Sequence, residues 1–302
     1  MSPRRFRAST CGLLLAMAVA ALAWPAAAAA DVKVNDPLLR RQWGLRRIGA
    51  PAAWASSLGK GMTIAIVDTG VDPTHEDLKA NLLTRKQYDA INDDFDARDL
   101  CPGNVCHGTA VAGVAAAVTN NRKGIAGTAP QAKIMAVRAF GALAGANPAD
   151  VADGILWAAD NGANVINLSL GGPVPIDPFL TDLQELSLLY ATAQGALVVA
   201  AAGNAAQPFC STPAFNPAVV CVGASDELDG LADFSNYFLR LDVVAPGTNI
   251  LTTDRFGYNS YPGTSFAAPF VAGVGALLMS MGATNIQAAY IIRATAKDLG
   301  LP

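Results

Sequence analysis

Short runs of almost unbroken apolar residues, at 62–67, 133–139, 164–170, 196–201, 218–222 and 241–244, are interspersed with longer helical stretches at 107–118, 148–161, 178–194, 264–281 and 285–296. A strand that is apolar on both sides has no face to give to water, so each run must lie in a sheet covered above and below. Strand-helix alternation implies crossovers between parallel strands. The expected class is therefore α/β: a mainly parallel, twisted sheet with helices on both faces, a three-layer fold occupying residues 31–302 as one domain. Such sheets gather strand carboxyl ends at one rim, which is where open α/β folds bind ligands.

Asp68-Thr69-Gly70 forms the turn that ends the 62–67 run. Gly263-Thr264-Ser265-Phe266-Ala267-Ala268-Pro269 opens the apolar stretch at 264–281, placing a hydroxyl among tiny neighbours in a helix's first turn, with Pro269 expected early enough to be tolerated there. A serine becomes a useful nucleophile only with a base to take its proton and donors for the resulting oxyanion. The chain holds two histidines, His75 and His107. His107 opens a small-residue helix, and His75 lies in a loop just behind Asp68. Asn204 follows an apolar run and offers an amide. Taken singly, the serine reads as an N-cap, the aspartate as a turn residue and the asparagine as a loop residue.

The first thirty residues have their own logic. Arg4, Arg5 and Arg7 precede an apolar run from Leu13 to Trp24, and an alanine tract ends at Ala30 before Asp31. This is the pattern of a signal peptide, cleaved near Ala30 and favouring the general secretory route over the twin-arginine one, so the product is expected to be secreted or periplasmic. The run is too short for a stable membrane anchor. Formal charge is −3 with the leader's arginines counted, so the remainder is more acidic still and nothing points to nucleic acid. Cys101, Cys106, Cys210 and Cys221 remain after the leader. Four cysteines in an exported chain suggest two disulfides, with three possible pairings; proximity favours Cys101 with Cys106 and Cys210 with Cys221, and free buried thiols are the alternative.

Ile66-Val67-Asp68-Thr69-Gly70, the seven residues from His107 to Gly113, Ala201-Ala202-Gly203-Asn204 and the seven from Gly263 to Pro269 together resemble the subtilisin-like serine proteases, the subtilases, in the family's own order of Asp, His and Ser. The segments 35–37, 42–45 and 53–54 are most similar to the thermitase-type branch. The resemblance implies Asp68, His107 and Ser265 as catalytic residues and Asn204 as oxyanion donor beside the Ser265 backbone N–H. It implies substrate-binding walls at Ser169, Leu170, Gly171 and Gly172 and at Ala201, Ala202 and Gly203. No residue from 197 to 217 is charged, so the primary pocket should favour an apolar or aromatic side chain. It also implies a structural calcium held by Asp36, Asp77 and Asn121 through side chains and by Val118, Lys123 and Ile125 through carbonyls. A second acidic run, Asp89, Asn92, Asp93, Asp94, Asp96 and Asp99, reads better as a solvated loop than as another calcium site.

The implied function is a secreted, monomeric serine endopeptidase acting on polypeptides. Three departures from the family pattern stand out: a short interval between Asp31 and the thermitase-like start, where many relatives carry a prodomain; an end at Pro302, where relatives continue; and Phe238-Leu239-Arg240 in place of a glycine-containing turn. Two rival functions are an inactive protease-fold binding module, which a missing triad residue would favour, and an esterase, whose Gly-x-Ser-x-Gly elbow is not matched by Gly263-Thr264-Ser265-Phe266-Ala267.

Overall fold

A computed structural model describes residues 34–101, 105–141, 145–172 and 178–300; the leader at 1–30 lies outside them. In chain order the elements are α1 (Trp43–Arg47), α2 (Ala50–Ala53), β1 (Thr63–Asp68), β2 (Tyr88–Asp89), α3 (His107–Ala116), β3 (Lys133–Arg138), β4 (Phe140–Gly141), β5 (Gly145–Ala146), α4 (Pro148–Asp160), β6 (Val165–Leu168), α5 (Pro178–Ala193), β7 (Leu197–Ala201), β8 (Val219–Ser225), β9 (Val243–Pro246), β10 (Ile250–Asp254), β11 (Gly257–Tyr261), α6 (Thr264–Ser280) and α7 (Asn285–Thr295). Seven strands form one parallel sheet in the order β2-β3-β1-β6-β7-β8-β9.

The continuous apolar strands are explained by two cores. Ile64 and Ile66 of β1, Val199 of β7 and Val220 and Val222 of β8 face one side, packed with Val111 and Val114 of α3, Phe270 and Val271 of α6 and Ile292 of α7. Ala65 and Val67, Val198 and Val219 face the other, with Val151 and Ile155 of α4 and Leu188 and Ala191 of α5. Alternate residues of each strand thus feed opposite layers. From β1 the chain builds outward to β2 and β3, then crosses to β6 on the other flank. The switch point therefore falls at the carboxyl end of β1, which is Asp68.

The β10–β11 hairpin was not expected. It is antiparallel, from Ile250 opposite Tyr261 to Asp254 opposite Gly257, and β10 braces α3, where Thr252 Oγ1 donates to Ala110 O at 2.6 Å. Disulfides join Cys101 to Cys106 and Cys210 to Cys221. Among the described residues no helix is long and apolar enough to cross a membrane.

Candidate active site

Asp68 ends β1 fully buried, and its Oδ1 accepts from Thr69 N at 2.8 Å and from His107 Nδ1 at 2.7 Å. Since the carboxylate oxygen can only accept, Nδ1 carries the hydrogen and Nε2 is left free to take a proton. Oδ2 of Asp68 is buried with no donor among the described residues.

The approach of α3 to β1 depends on Gly108. Its N–H donates to Thr69 Oγ1 at 2.9 Å, and a Cβ there would drive into the carbonyl oxygen of Gly70 while sitting 3.0 Å from Asp68 Cβ. Gly108→Ala is expected to cost about 2 kcal/mol through overpacking, lowering the melting temperature on the order of 5 °C. An unchanged thermal melt would contradict this packing.

Ser265 is the second residue of α6, and its environment corrects one expectation. Pro269 lies inside the helix, beyond its first turn, so its missing N–H leaves the Ser265 carbonyl without an i→i−4 partner. Ser169 Oγ takes that place, donating to Ser265 O at 2.7 Å, while Ser265 Oγ donates to Ser169 O at 3.1 Å. Among the described residues no hydrogen bond joins Ser265 to His107. The residue after Ser265 does reach His107: the ring of Phe266 lies 5.6 Å from that of His107 and stacks on Tyr261 of β11.

Asn204 is oriented by α6. Its Oδ1 accepts from Thr264 N and Thr264 Oγ1, each at 2.9 Å. Because a backbone N–H is an obligatory donor, the amide oxygen must face Thr264, and Nδ2 is directed elsewhere. A Cβ on Gly263, whose φ is +144°, would lie 3.7 Å from that nitrogen. The Asn204 amide is thus held against the first residue of α6, next to Ser265 in the chain.

The segments at 169–172 and 201–203 flank this space and are joined by a residue not anticipated from sequence. Ser211 N donates to Ala202 O at 2.8 Å, a Cβ on Gly171 would lie 3.3 Å from Ser211 Cβ, and one on Gly203 would collide with Ser211 Oγ. Ser211 thus lies between Gly171 and Gly203, with its hydroxyl accepting from Asn236 Nδ2 at 3.1 Å. Its only sequence signal is being a small residue between Cys210 and Pro213.

The subtilase profile (Peptidase_S8, Subtilase family) matches residues 59–302. The chain belongs to the subtilase family. It is 46% identical over 262 residues to the thermophilic serine proteinase of Bacillus sp. strain AK1, covering 85% of this chain and 62% of that protein. It is 45% identical over 259 residues to thermitase of Thermoactinomyces vulgaris, covering 84% of this chain and 89% of that one. Among solved structures, a protease of Pseudoalteromonas arctica PAMC 21717 superposes with a TM-score of 0.81 at 34% identity, over 89% of this chain and 94% of that one. Subtilases are serine endopeptidases, and the seven-stranded parallel sheet is their fold.

Away from the cleft of this subtilase, Asp36 and Asp77 are buried together. Asp36 accepts from Asn120 N at 2.8 Å and Asn121 N at 3.2 Å; Asp77 accepts from Ile125 N at 2.8 Å and Asn121 Nδ2 at 2.6 Å. Burial, with the neighbouring charge of Asp77, pushes the Asp36 carboxyl up despite the N–H donors. Asn121 Oδ1 accepts from Lys123 N at 2.8 Å, so one lone pair remains. The carbonyls of Val118, Lys123 and Ile125 accept no hydrogen bond among the described residues. Two crowded carboxylates beside three unpartnered carbonyls are a donor set that suits a hard cation.

The second acidic run is different. Asp89 is 1% exposed, and its Oδ2 accepts from Arg138 Nη1 at 2.6 Å and Asn92 Nδ2 at 2.9 Å; Arg98 pairs with Asp96. Asp93, Asp94 and Asp96 are solvated as expected, whereas Asp89 and Asp99 are not.

Proposed function

We propose that this subtilase is an exported serine endopeptidase in which Asp68, His107 and Ser265 form the catalytic triad. The observation that carries the reading is the 2.7 Å contact of His107 with Asp68 at the sheet's switch point, beside the helix that bears Ser265. Rotation of the Ser265 side chain from Ser169 O toward His107 Nε2 would complete the relay, a rearrangement common between resting and substrate-bound sites. His107 then takes the hydroxyl proton as Oγ attacks the peptide carbonyl, and Asp68 holds the ring's tautomer and stabilises its cation. The proton goes on to the leaving amine, and water releases the acyl group by the same path in reverse. Asn204 Nδ2 and the Ser265 N–H are assigned to the developing oxyanion.

An extended substrate would pair with the 169–172 segment that follows β6, its side chain entering between Gly171 and Gly203 onto Ser211. No charged group awaits it there, so an apolar or aromatic side chain is favoured. The residues at Asp36, Asp77, Asn121, Val118, Lys123 and Ile125 would hold a calcium ion that supplies positive charge to the loop and no chemistry at the cleft. The leader would direct the chain out of the cytoplasm.

Hydrolysis of chromogenic peptides in calcium tests this. Turnover should be blocked by a serine-directed phosphonylating reagent, and kcat/KM should be at least about tenfold higher with Phe than with Lys at the cleaved position. A folded sample that neither turns over nor takes up the reagent would point instead to an inactive binding module, and a Lys preference would reject the pocket assignment.

A further inference from the structure

Asp99 belongs to the acidic run ahead of His107, yet it is only 9% exposed and both its oxygens are engaged. Oδ1 accepts from Cys101 N at 3.0 Å; Oδ2 accepts from Thr109 N at 3.1 Å and Thr109 Oγ1 at 2.8 Å. Thr109 is the third residue of α3. Cys106, at the cap position, makes no side-chain hydrogen bond to the helix. Asp99 therefore supplies, from the preceding loop, the acceptor that this helix start lacks, and puts negative charge at its favourable end.

Thr109 is held from two further directions: its Oγ1 accepts from Asp72 N at 2.9 Å and its carbonyl from Thr253 Oγ1 at 2.7 Å. The segment carrying Asp99 also backs the turn after Asp68. Val71 N donates to Ala97 O at 3.0 Å, and a Cβ on Gly70 would lie 2.6 Å from that same oxygen. Asp99 thus links the two elements whose relative placement sets the His107–Asp68 contact.

We propose that Asp99 is a positioning residue for His107: its carboxylate, outside the triad, locks the first turn of α3 to the Asp68 turn and places a second negative charge behind the imidazole. This rests on the reading of His107 as general base. The titratable groups acting on His107 among the described residues are Asp68 on β1 and Asp99; Phe140 of β4 and Phe266 of α6 flank the ring at 6.3 and 5.6 Å and carry no charge. Burial works against the imidazolium, but the charge and hydrogen bond of Asp68, together with Asp99, outweigh it and raise the His107 pKa. Burial first, and then the Asp68 charge, push the Asp99 carboxyl up against its three hydrogen bonds.

The sign of the effect follows. A general base works deprotonated, so kcat/KM falls as pH drops through the His107 midpoint. Removing the Asp99 charge lowers that midpoint and moves the acid limb to lower pH, which a purely structural role would not do. With only two histidines in the chain, NMR titration of the imidazoles in a Ser265→Ala background reads His107 directly, assigned by comparison with His107→Gln. Asp99→Asn is expected to lower the midpoint by about 0.5 pH unit or more, with the acid limb of the active enzyme moving equally. Thr109→Val keeps the charge and loses the hydroxyl donor, so kcat/KM should drop about three- to tenfold with the midpoint in place. An unmoved midpoint in Asp99→Asn overturns the proposal, as does full turnover in Thr109→Val, which carries the test alone if Asp99→Asn does not fold. Failure of the triad reading shows separately, as turnover retained by Ser265→Ala.

Discussion

Ser265→Ala is expected to lower kcat by about 10⁶-fold, the loss seen on removing the triad serine of subtilisin and carried over from that relative. The size of the effect follows from the absence of a substitute. Among the described residues, Ser169 Oγ is the hydroxyl in contact with Ser265, and it is committed to Ser265 O, so it cannot also approach a substrate carbonyl. His107→Ala should cost a similar amount, and the double variant little more, because the two groups act in one step. The fold should survive: Ser265 contributes one side-chain hydrogen bond, to Ser169 O, while Ser169 still holds the backbone carbonyl. The measurement is steady-state peptide hydrolysis alongside a thermal melt. Turnover within about a hundredfold of the parent would remove Ser265 from the nucleophile role.

Calcium should raise the melting temperature on the order of 10 °C when present at about a thousand times its dissociation constant. Binding to the folded state alone contributes about 4 kcal/mol under those conditions, and domains of this size melt a few degrees higher per kcal/mol. Without a cation, the buried Asp36 and Asp77 repel each other, and the carbonyls of Val118, Lys123 and Ile125 have no hydrogen-bond partner among the described residues. Asp77→Ala should abolish the calcium-dependent increment. It should also lower stability in chelator, because Ile125 N and Asn121 Nδ2 lose their acceptor. Asp94→Ala, in the exposed acidic loop, is the control and should keep the full increment. Melts with calcium and with chelator decide the matter: an increment that persists in Asp77→Ala places the ion elsewhere.

Much of this was legible in one dimension because both-face burial leaves an unmistakable trace. A run such as Met62 to Val67 has no polar side, which excludes a half-solvated strand. The hairpin at β10 and β11 escaped because Thr252 and Thr253 are polar in composition yet fully buried, their hydroxyls spent on the α3 carbonyls of Ala110 and Thr109. Ser211 and Asp99 escaped for the same reason: each is an ordinary loop residue until the fold brings Gly171 and Gly203, or Thr109, against it. Pro269 was placed too early in its helix because the apolar pattern of 264–281 does not mark where hydrogen-bonded turns begin.

By itself, then, the sequence determined the layers of the fold, because both-face burial is written in the apolar runs. Its resemblance to the subtilases, carried by four short motifs, nominated Asp68, His107, Asn204 and Ser265 and the oxygen donors around Asp36 and Asp77. Only the tertiary structure decided that Asp68 Oδ1 meets His107, that Asn204 turns its oxygen to Thr264, that Ser169 replaces the hydrogen bond denied by Pro269, and that Asp99 is buried beneath α3. Those contacts join residues far apart along the chain, as Ser169 and Ser265 are, and periodicity encodes which face a residue presents but not which partner the folded chain brings to it.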